Sequence, residues 1–456
     1  MNLLENINSI ISAFAEFMWG APLLIILLGG GIYFSFYSRF VPFKYFRHGL
    51  NILFGRYNDP NDPGEITHFQ ALSSALASTV GLGNISGVAI AIQMGGPGAL
   101  FWMWLSAIVG MSTKFFSCTL SILFRGKDDQ GNVQGGPMYY IENGLGKNFK
   151  PLSILFSAAG LIGCTVMFQS NQLTEIIRDQ LFVNDYRWLL YWYSNNVNFI
   201  LGLLMAIITG IVVFGGIKRI AQVASYMVPV MVVLYLFSGL LVIFNHITEI
   251  PSLLGLIIHD AFTGEAVMGG AVGAVIVAGI RRALFSNEAG LGTSDMAHGA
   301  ARTKEPVREG LVAMIEPFID TIVVCTITAM VILVSGVWQE EGLNGVTMTT
   351  TAFIKELGGF GKFLLLAAVL TFSISTMMSY SYYGSKCSGY LFGTKSIFYY
   401  RCFYIVTIVV GAMITIEAVI NLVDGMYAVM AIPTVVGSIL LSPKVMKEAK
   451  RYFAKL

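Results

Sequence analysis

The feature that most restricts this chain is a succession of apolar runs, each long enough to cross a hydrocarbon core of about 30 Å. They lie near residues 17 to 37, 68 to 94, 98 to 124, 152 to 182, 197 to 217, 220 to 245, 266 to 300, 307 to 337, 361 to 389, 399 to 417 and 418 to 441. Inside lipid a backbone has to satisfy its own amides and carbonyls, so runs of this kind become helices. An all-α membrane protein with eleven transmembrane helices is expected. Composition excludes a soluble domain: 55% of the 456 residues are hydrophobic and 12% are charged, against about a quarter charged in soluble chains.

Other classes fall away quickly. A net charge of +2 gives no basis for binding nucleic acid. Cys118, Cys164, Cys325, Cys387 and Cys402 lie within or at the ends of apolar segments without metal-ligand spacing, and read as inert thiols. The chain has no phosphate-binding G-x-x-x-x-G-K-[ST], no H-x-x-x-H pair and no G-x-S-x-G elbow, so neither ATP hydrolysis nor enzyme chemistry is expected. Residues 1 to 16 carry no Lys or Arg and so no basic signal-peptide start. Their spacing of Ile7, Ile10, Ile11 and Phe14 suits a short amphipathic helix on the membrane surface.

Lys and Arg orient the spans. With the amino terminus outside, the inner loops collect Arg39, Lys44, Arg47 and Arg56, then Arg125 and Lys127, then Lys218 and Arg219, then Arg302, Lys304 and Arg308; Lys444 to Lys455 follow in the tail. The outer side keeps Arg178, Arg187, Lys355 and Lys362. A missed span would scramble this asymmetry from that point on. The carboxyl terminus is therefore expected in the cytoplasm and the protein in the cell membrane.

Two spans are not ordinary helices. The second is interrupted by Ser78-Thr79-Val80-Gly81-Leu82-Gly83-Asn84-Ile85-Ser86. The seventh combines Gly269, Gly270, Gly273 and Gly279 with a polar stretch from Phe285. Glycine costs about 1 kcal/mol in a helix interior, and irregular backbone at membrane depth is tolerated where it lines a cavity. The two spans are five apart and so run in opposite directions. That pattern reads as two inverted repeats of five helices behind one added helix, with a solute site at the breaks. The divisions are 1–60 (surface helix, first span and inner loop), 61–246 (spans two to six) and 247–456 (spans seven to eleven and tail). Chance placement of glycines is the alternative.

A broken helix offers carbonyls where its first half ends and amides where its second begins. Ala77, Thr79 and Val80 would offer oxygens to a cation. The amides around Gly81, Leu82 and Gly83 would face a carboxylate, with the Asn84 side chain adding a carbonyl. Close helix packing on glycine is the competing reading. Thr371 to Thr376 in span nine are rich in hydroxyls, which are hard cation ligands but equally bond their own helix. Phe168 and Gln169 in span four could wall a small pocket or bond a neighbouring helix. Glu316 and Asp320 share a face of span eight and could answer Arg281, Arg282 or Lys114 as a structural or gating ion pair, or hold an ion directly. Glu288 is expected to cap a half-helix or close the inner gate.

With these stretches in hand the chain resembles the alanine or glycine:cation symporters (the sodium:alanine symporter family), members of the LeuT-like fold. The resemblance runs nearly end to end. It rests on Ser-Thr-Val-Gly-Leu-Gly-Asn-Ile-Ser-Gly-Val-Ala from 78, Gly-Gly-Pro-Gly-Ala-Leu-Phe-Trp-Met-Trp from 95, Gly-Gly-Pro-Met-Tyr-Tyr-Ile from 135 and Phe-Ser-Asn-Glu-Ala-Gly-Leu-Gly-Thr from 285, with Glu-Pro-Phe-Ile-Asp-Thr from 316 and Tyr-Tyr-Gly from 382. It implies carbonyls of Ala77, Val80 and Phe372 with hydroxyls of Ser375 and Thr376 around a co-transported sodium ion. Thr79 and Asn84 match a second sodium position, for which span seven offers no matching hydroxyl. It also implies a small neutral amino acid, alanine or glycine, between the break, Phe168, Gln169 and the Gly273 to Gly279 stretch that includes Val277. Members of the family commonly carry two threonines and a tryptophan where this chain has Ser375, Thr376 and Tyr380. Proton-coupled relatives of the fold place a lysine on the helix matching span six, and residues 220 to 245 have none. The expected function is sodium-coupled uptake by alternating access in a lipid bilayer, with no protein partner implied. The alternatives are a proton-coupled carrier of the same fold and, from another class, a cation channel.

Overall fold

The computed structural model describes residues 3–181, 190–263, 272–340, 342–414 and 416–456. Each of the eleven expected segments is mainly helical over its described residues, with breaks inside several of them. By length and apolarity nine helices qualify as membrane spans among those residues, or ten when the bent pair His68–Thr79 and Gly83–Gly95 is taken as one. The seventh segment contributes Val272–Asn287, 16 residues; Gly269 and Gly270 lie outside the described residues. The amino-terminal helix Leu3–Met18 packs on the last helix, Ile416–Phe453. Trp19 Nε1 donates to the Asp424 carbonyl there at 2.7 Å.

Local chemistry places the helix starts. Span two begins after Thr67, whose hydroxyl accepts from the Gln70 amide at 3.2 Å while Gln70 Oε1 accepts from the Thr67 amide at 3.0 Å. This reciprocal pair satisfies two donors that a helix start leaves orphaned. Span eight begins at Pro306, where a missing amide costs nothing. Span nine is the end of a longer helix, Gly345–Phe392, kinked at Gly358 with φ +61°. Span four is opened at Cys164 to Val166, between helices Lys150–Gly163 and Met167–Leu181.

Burial is reversed relative to a water-soluble protein. Ile25, Val230 and Phe363 stand outward, each 68% exposed, while Asn84, Glu309, Glu316 and Asp320 are fully buried. Lipid supplies no hydrophobic drive between helices, so close approach and interhelical hydrogen bonds hold them. At Gly310 a side chain would lie 2.1 Å from Thr119 Oγ1 and 2.6 Å from the Phe115 carbonyl. Span eight thereby meets span three, Ala99–Leu123, backbone to backbone. Gly216–Asn245 packs on both the first half of span two and span nine, framing the break between them.

Candidate functional site

Span two leaves helical geometry at Val80 (φ −74°, ψ 89°). The Gly81 amide, which would continue the ladder to the Ala77 carbonyl, donates instead to Asn84 Oδ1 at 2.8 Å. The Asn84 amide donates back to the Gly81 carbonyl at 3.1 Å. The chain resumes as a wide π turn, Gly83–Gly87, and the two halves are bent by 54°. Such wide turns recur where helices carry sites. The Thr79 hydroxyl bonds the Ala75 carbonyl at 3.1 Å, and Thr79 and Leu82 are both buried.

Asn84 does more than the expected offering of a carbonyl. Its oxygen holds the Gly81 amide, and its nitrogen donates to Asp320 Oδ1 at 2.7 Å and to the Asp320 carbonyl at 3.1 Å. Asp320 also accepts from Ser286 at 2.8 Å and Thr321 at 2.7 Å. One carboxylate thus clasps the break of span two and the end of Val272–Asn287 together. Its recorded partners are neutral donors rather than the basic residue expected from its place beside Glu316. Arg281 pairs with Asp424 at 2.7 Å, and the Arg282 guanidinium lies 5.9 Å from the Phe285 ring centroid. Glu316 does meet Lys114, at 3.1 Å.

Span nine meets the break closely at Gly81, and the Ser78 and Tyr383 hydroxyls join at 3.0 Å. A side chain on Gly81 would lie 2.6 Å from Thr376 Oγ1. The hydroxyls of Ser375 and Thr376 both donate to the Phe372 carbonyl at 2.9 Å. A hydroxyl that gives its proton to its own helix leaves its oxygen lone pairs for a cation. Ala77, Val80, Phe372, Ser375 and Thr376 are all buried.

On the amide side, a side chain on Gly83 would meet the Phe285 ring and the Ser286 Cα at 3.7 Å. Phe285 receives Phe168 edge-on, with centroids 6.0 Å apart, and Tyr427 at 5.6 Å. Phe168 and the buried Gln169 follow directly on the opening in span four. Val277 and Gly273 stand apart from this contact. Val277 is 43% exposed and lies eight residues, about 12 Å of helix, from Phe285; open space surrounds the Cβ position of Gly273. Phe285 and Ser286 adjoin the break at Gly83, with Tyr427 against the Phe285 ring, and the polarity of the stretch from Phe285 is the signal that could have found the first two.

Among the described residues span seven breaks at Glu288, Gly290 and Gly292, with φ of +54°, +88° and +85°, while Gly273 and Gly279 lie within the helix Val272–Asn287. Left-handed backbone is steric strain for a glutamate. Its carboxylate is held across the gap by the hydroxyls of Thr293, which opens the next helix, Thr293–His298, and of Tyr380, which Tyr427 joins. Glu288 thus bridges the seventh span's break to span nine.

Residues 4–456 match the model of the sodium:alanine symporter family. The chain is 38% identical over 451 residues to the sodium/alanine symporter AgcS of Methanococcus maripaludis, with 97% of each chain covered. It is 35% identical over 451 residues to the probable sodium/glutamine symporter GlnT of Bacillus subtilis, covering 99% of this chain and 91% of that one. Among solved structures, MhsT in complex with L-phenylalanine aligns with a TM-score of 0.59 at 15% identity, over 83% of this chain and 89% of that one, a likeness of LeuT-type fold. A multi-pass helical protein whose second span breaks around a glycine motif, matched over nearly its whole length, belongs to the sodium:alanine symporter family and is a membrane transporter rather than an enzyme.

Proposed function

We propose that the chain couples inward sodium flow to uptake of small neutral amino acids, alanine and glycine, by alternating access between inverted repeats 61–246 and 247–456. The observation that carries this reading is the meeting of Gly81 with Thr376 Oγ1. It puts the end of the first half of span two, with the Ala77 and Val80 carbonyls, beside the hydroxyl turn of span nine. Sodium there would draw on those carbonyls, the Phe372 carbonyl and the Ser375 and Thr376 hydroxyls. It would tie the half-helix down and so order the Gly81 to Gly83 amides for the amino acid's carboxylate, a coupling that is reciprocal by linkage. Phe168, Phe285 and Tyr427 crowd the amide side, which favours a short side chain. The positive-inside bias of the loops supports a cytoplasmic carboxyl terminus.

Sodium is favoured over protons as the coupling ion because the lysine of the Gly216–Asn245 helix, Lys218, sits in that helix's first turn, short of its middle. Purified protein in liposomes tests the proposal. Alanine uptake should follow an imposed sodium gradient and saturate with alanine. Uptake that ignores sodium and follows a proton gradient would overturn sodium coupling, and sodium current at channel rates without amino acid would overturn the carrier.

A further inference from the structure

Beside the transport site lies a sealed ionic cluster that sodium and substrate do not use. Glu309, in the first helical turns of span eight, places one carboxylate oxygen against Nδ1 of His68 and the other 2.5 Å from Nδ1 of His298. Nε2 of His298 lies 3.7 Å from Glu316 Oε2. Glu316 Oε1 in turn takes Lys114 at 3.1 Å, and Lys114 also donates to Ser294. Side chains of His68, His298, Glu309 and Glu316 are wholly buried.

The geometry fixes where a proton is missing. A carboxylate accepts only, so each imidazole carries its proton on Nδ1 and leaves Nε2 bare when neutral. His298 Nε2 and Glu316 Oε2 then face one another as two lone-pair atoms, and neither has a hydrogen-bond partner among the described residues. His68 Nε2 is also unpartnered, but no carboxylate pairs with it. The titratable groups that face the cluster come from several neighbouring elements, among them Asp320 on span eight and Tyr383 on span nine. Lys114 and Cys118 project from span three, Arg125 lies just beyond that span's end, Asp295 projects from the Thr293–His298 helix, and Glu288 comes from the break before it. Asp295 has one oxygen occupied by Ser117 and Cys118. The acidic groups Glu288 and Asp295 share the permanent cations Lys114 and Arg125 with Glu309 and Glu316.

We propose that His298 binds a proton at Nε2, against Glu316 Oε2, and that this proton latches the first half of span two closed. His68 opens that half-helix. Just before it, the Glu65 and Ile66 amides donate to the Ala300 carbonyl at 2.8 and 3.3 Å, and the Arg302 amide donates to the Ile66 carbonyl at 2.7 Å. Any swing of the half-helix parts His68 from Glu309 and strips the loop that follows His298. With the proton in place the His298 imidazolium faces the Glu316 carboxylate as an ion pair across 3.7 Å; without it, the Glu316 oxygen faces one bare nitrogen. The inference rests on the alternating-access reading. Because the proposed sodium site binds the same half-helix to span nine, sodium and the proton favour the same closed state. Each therefore raises affinity for the other.

The test is sodium titration of the purified full chain, followed by intrinsic tryptophan fluorescence at constant ionic strength across a pH series. In the wild type, sodium affinity should fall as pH rises, by up to about tenfold per pH unit where His298 titrates. His298→Gln should remove the pH slope, and His68→Gln should retain it. A slope that survives in His298→Gln, or vanishes in His68→Gln alone, overturns the proposal. A second measurement needs no variant: adding sodium to weakly buffered wild-type protein should take up protons, read by a pH dye, and no uptake at any pH overturns the latch even if His298→Gln does not fold. Absence of any sodium signal at all pH values would overturn the sodium reading as well, and is told apart from failure of the latch alone by that missing signal.

Discussion

Gly81→Ala is the sharpest probe of the junction between spans two and nine. The added methyl would sit 2.6 Å from Thr376 Oγ1, where ordinary carbon contacts are about 3.5–4.0 Å. That oxygen cannot retreat easily: it is on a short side chain bonded to the Phe372 carbonyl at 2.9 Å. Overpacking of this kind costs about 1–3 kcal/mol, or roughly five- to a hundred-fold in an equilibrium at about 1.4 kcal/mol per tenfold. Thr376 Cβ, by contrast, lies at 3.8 Å from the same methyl position, so Thr376→Ala should relieve the overlap entirely. The double variant should therefore be no less stable than Thr376→Ala alone when unfolded in mixed micelles without sodium. In transport, Thr376→Ala should weaken apparent sodium affinity more than it lowers the maximal rate at very high sodium. Additive losses, within about 0.5 kcal/mol, would mean that the two residues do not meet and would refute the junction.

Three other outcomes follow from named contacts. Gly83→Ala leaves its methyl at ordinary distance, 3.7 Å, from Phe285, whereas Gly83→Val should abolish alanine binding in a radioligand assay without affecting insertion; retained binding would contradict the amide cradle. Asp320→Asn turns an NH2 toward either Asn84 or the Ser286 and Thr321 hydroxyls and should cost about 2–4 kcal/mol of stability, at about 1.5–3 kcal/mol per charged hydrogen bond, with weaker alanine affinity; unchanged stability would show that the clasp bears no load. His246, just past the end of span six, bonds Glu249 at 2.9 Å and Glu356 at 2.8 Å, and these partners hold its pKa above the ordinary histidine value. Its contribution should be full below about pH 6.5 and fade as pH rises through the folded value. Thermal-stability profiles of wild type and His246→Gln should therefore converge at alkaline pH, and parallel profiles would count against it.

Hydropathy along the chain settled that this is a helical membrane protein, and the run from Ser78 to Ser86 marked where one helix must fail, because both are properties of neighbouring residues. The family likewise stood in local motifs. What packing alone decided is which atoms meet across long separations: Asn84 with Asp320, Gly81 with Thr376, Phe285 with Gly83, and Glu309 between His68 and His298. Those histidines carry no metal spacing and lie 230 residues apart in sequence, so no periodicity could pair them. In lipid, apolar surface does not choose between helix partners, and the choice passes to small-residue contacts and buried polar bonds, which exist only once distant spans are side by side.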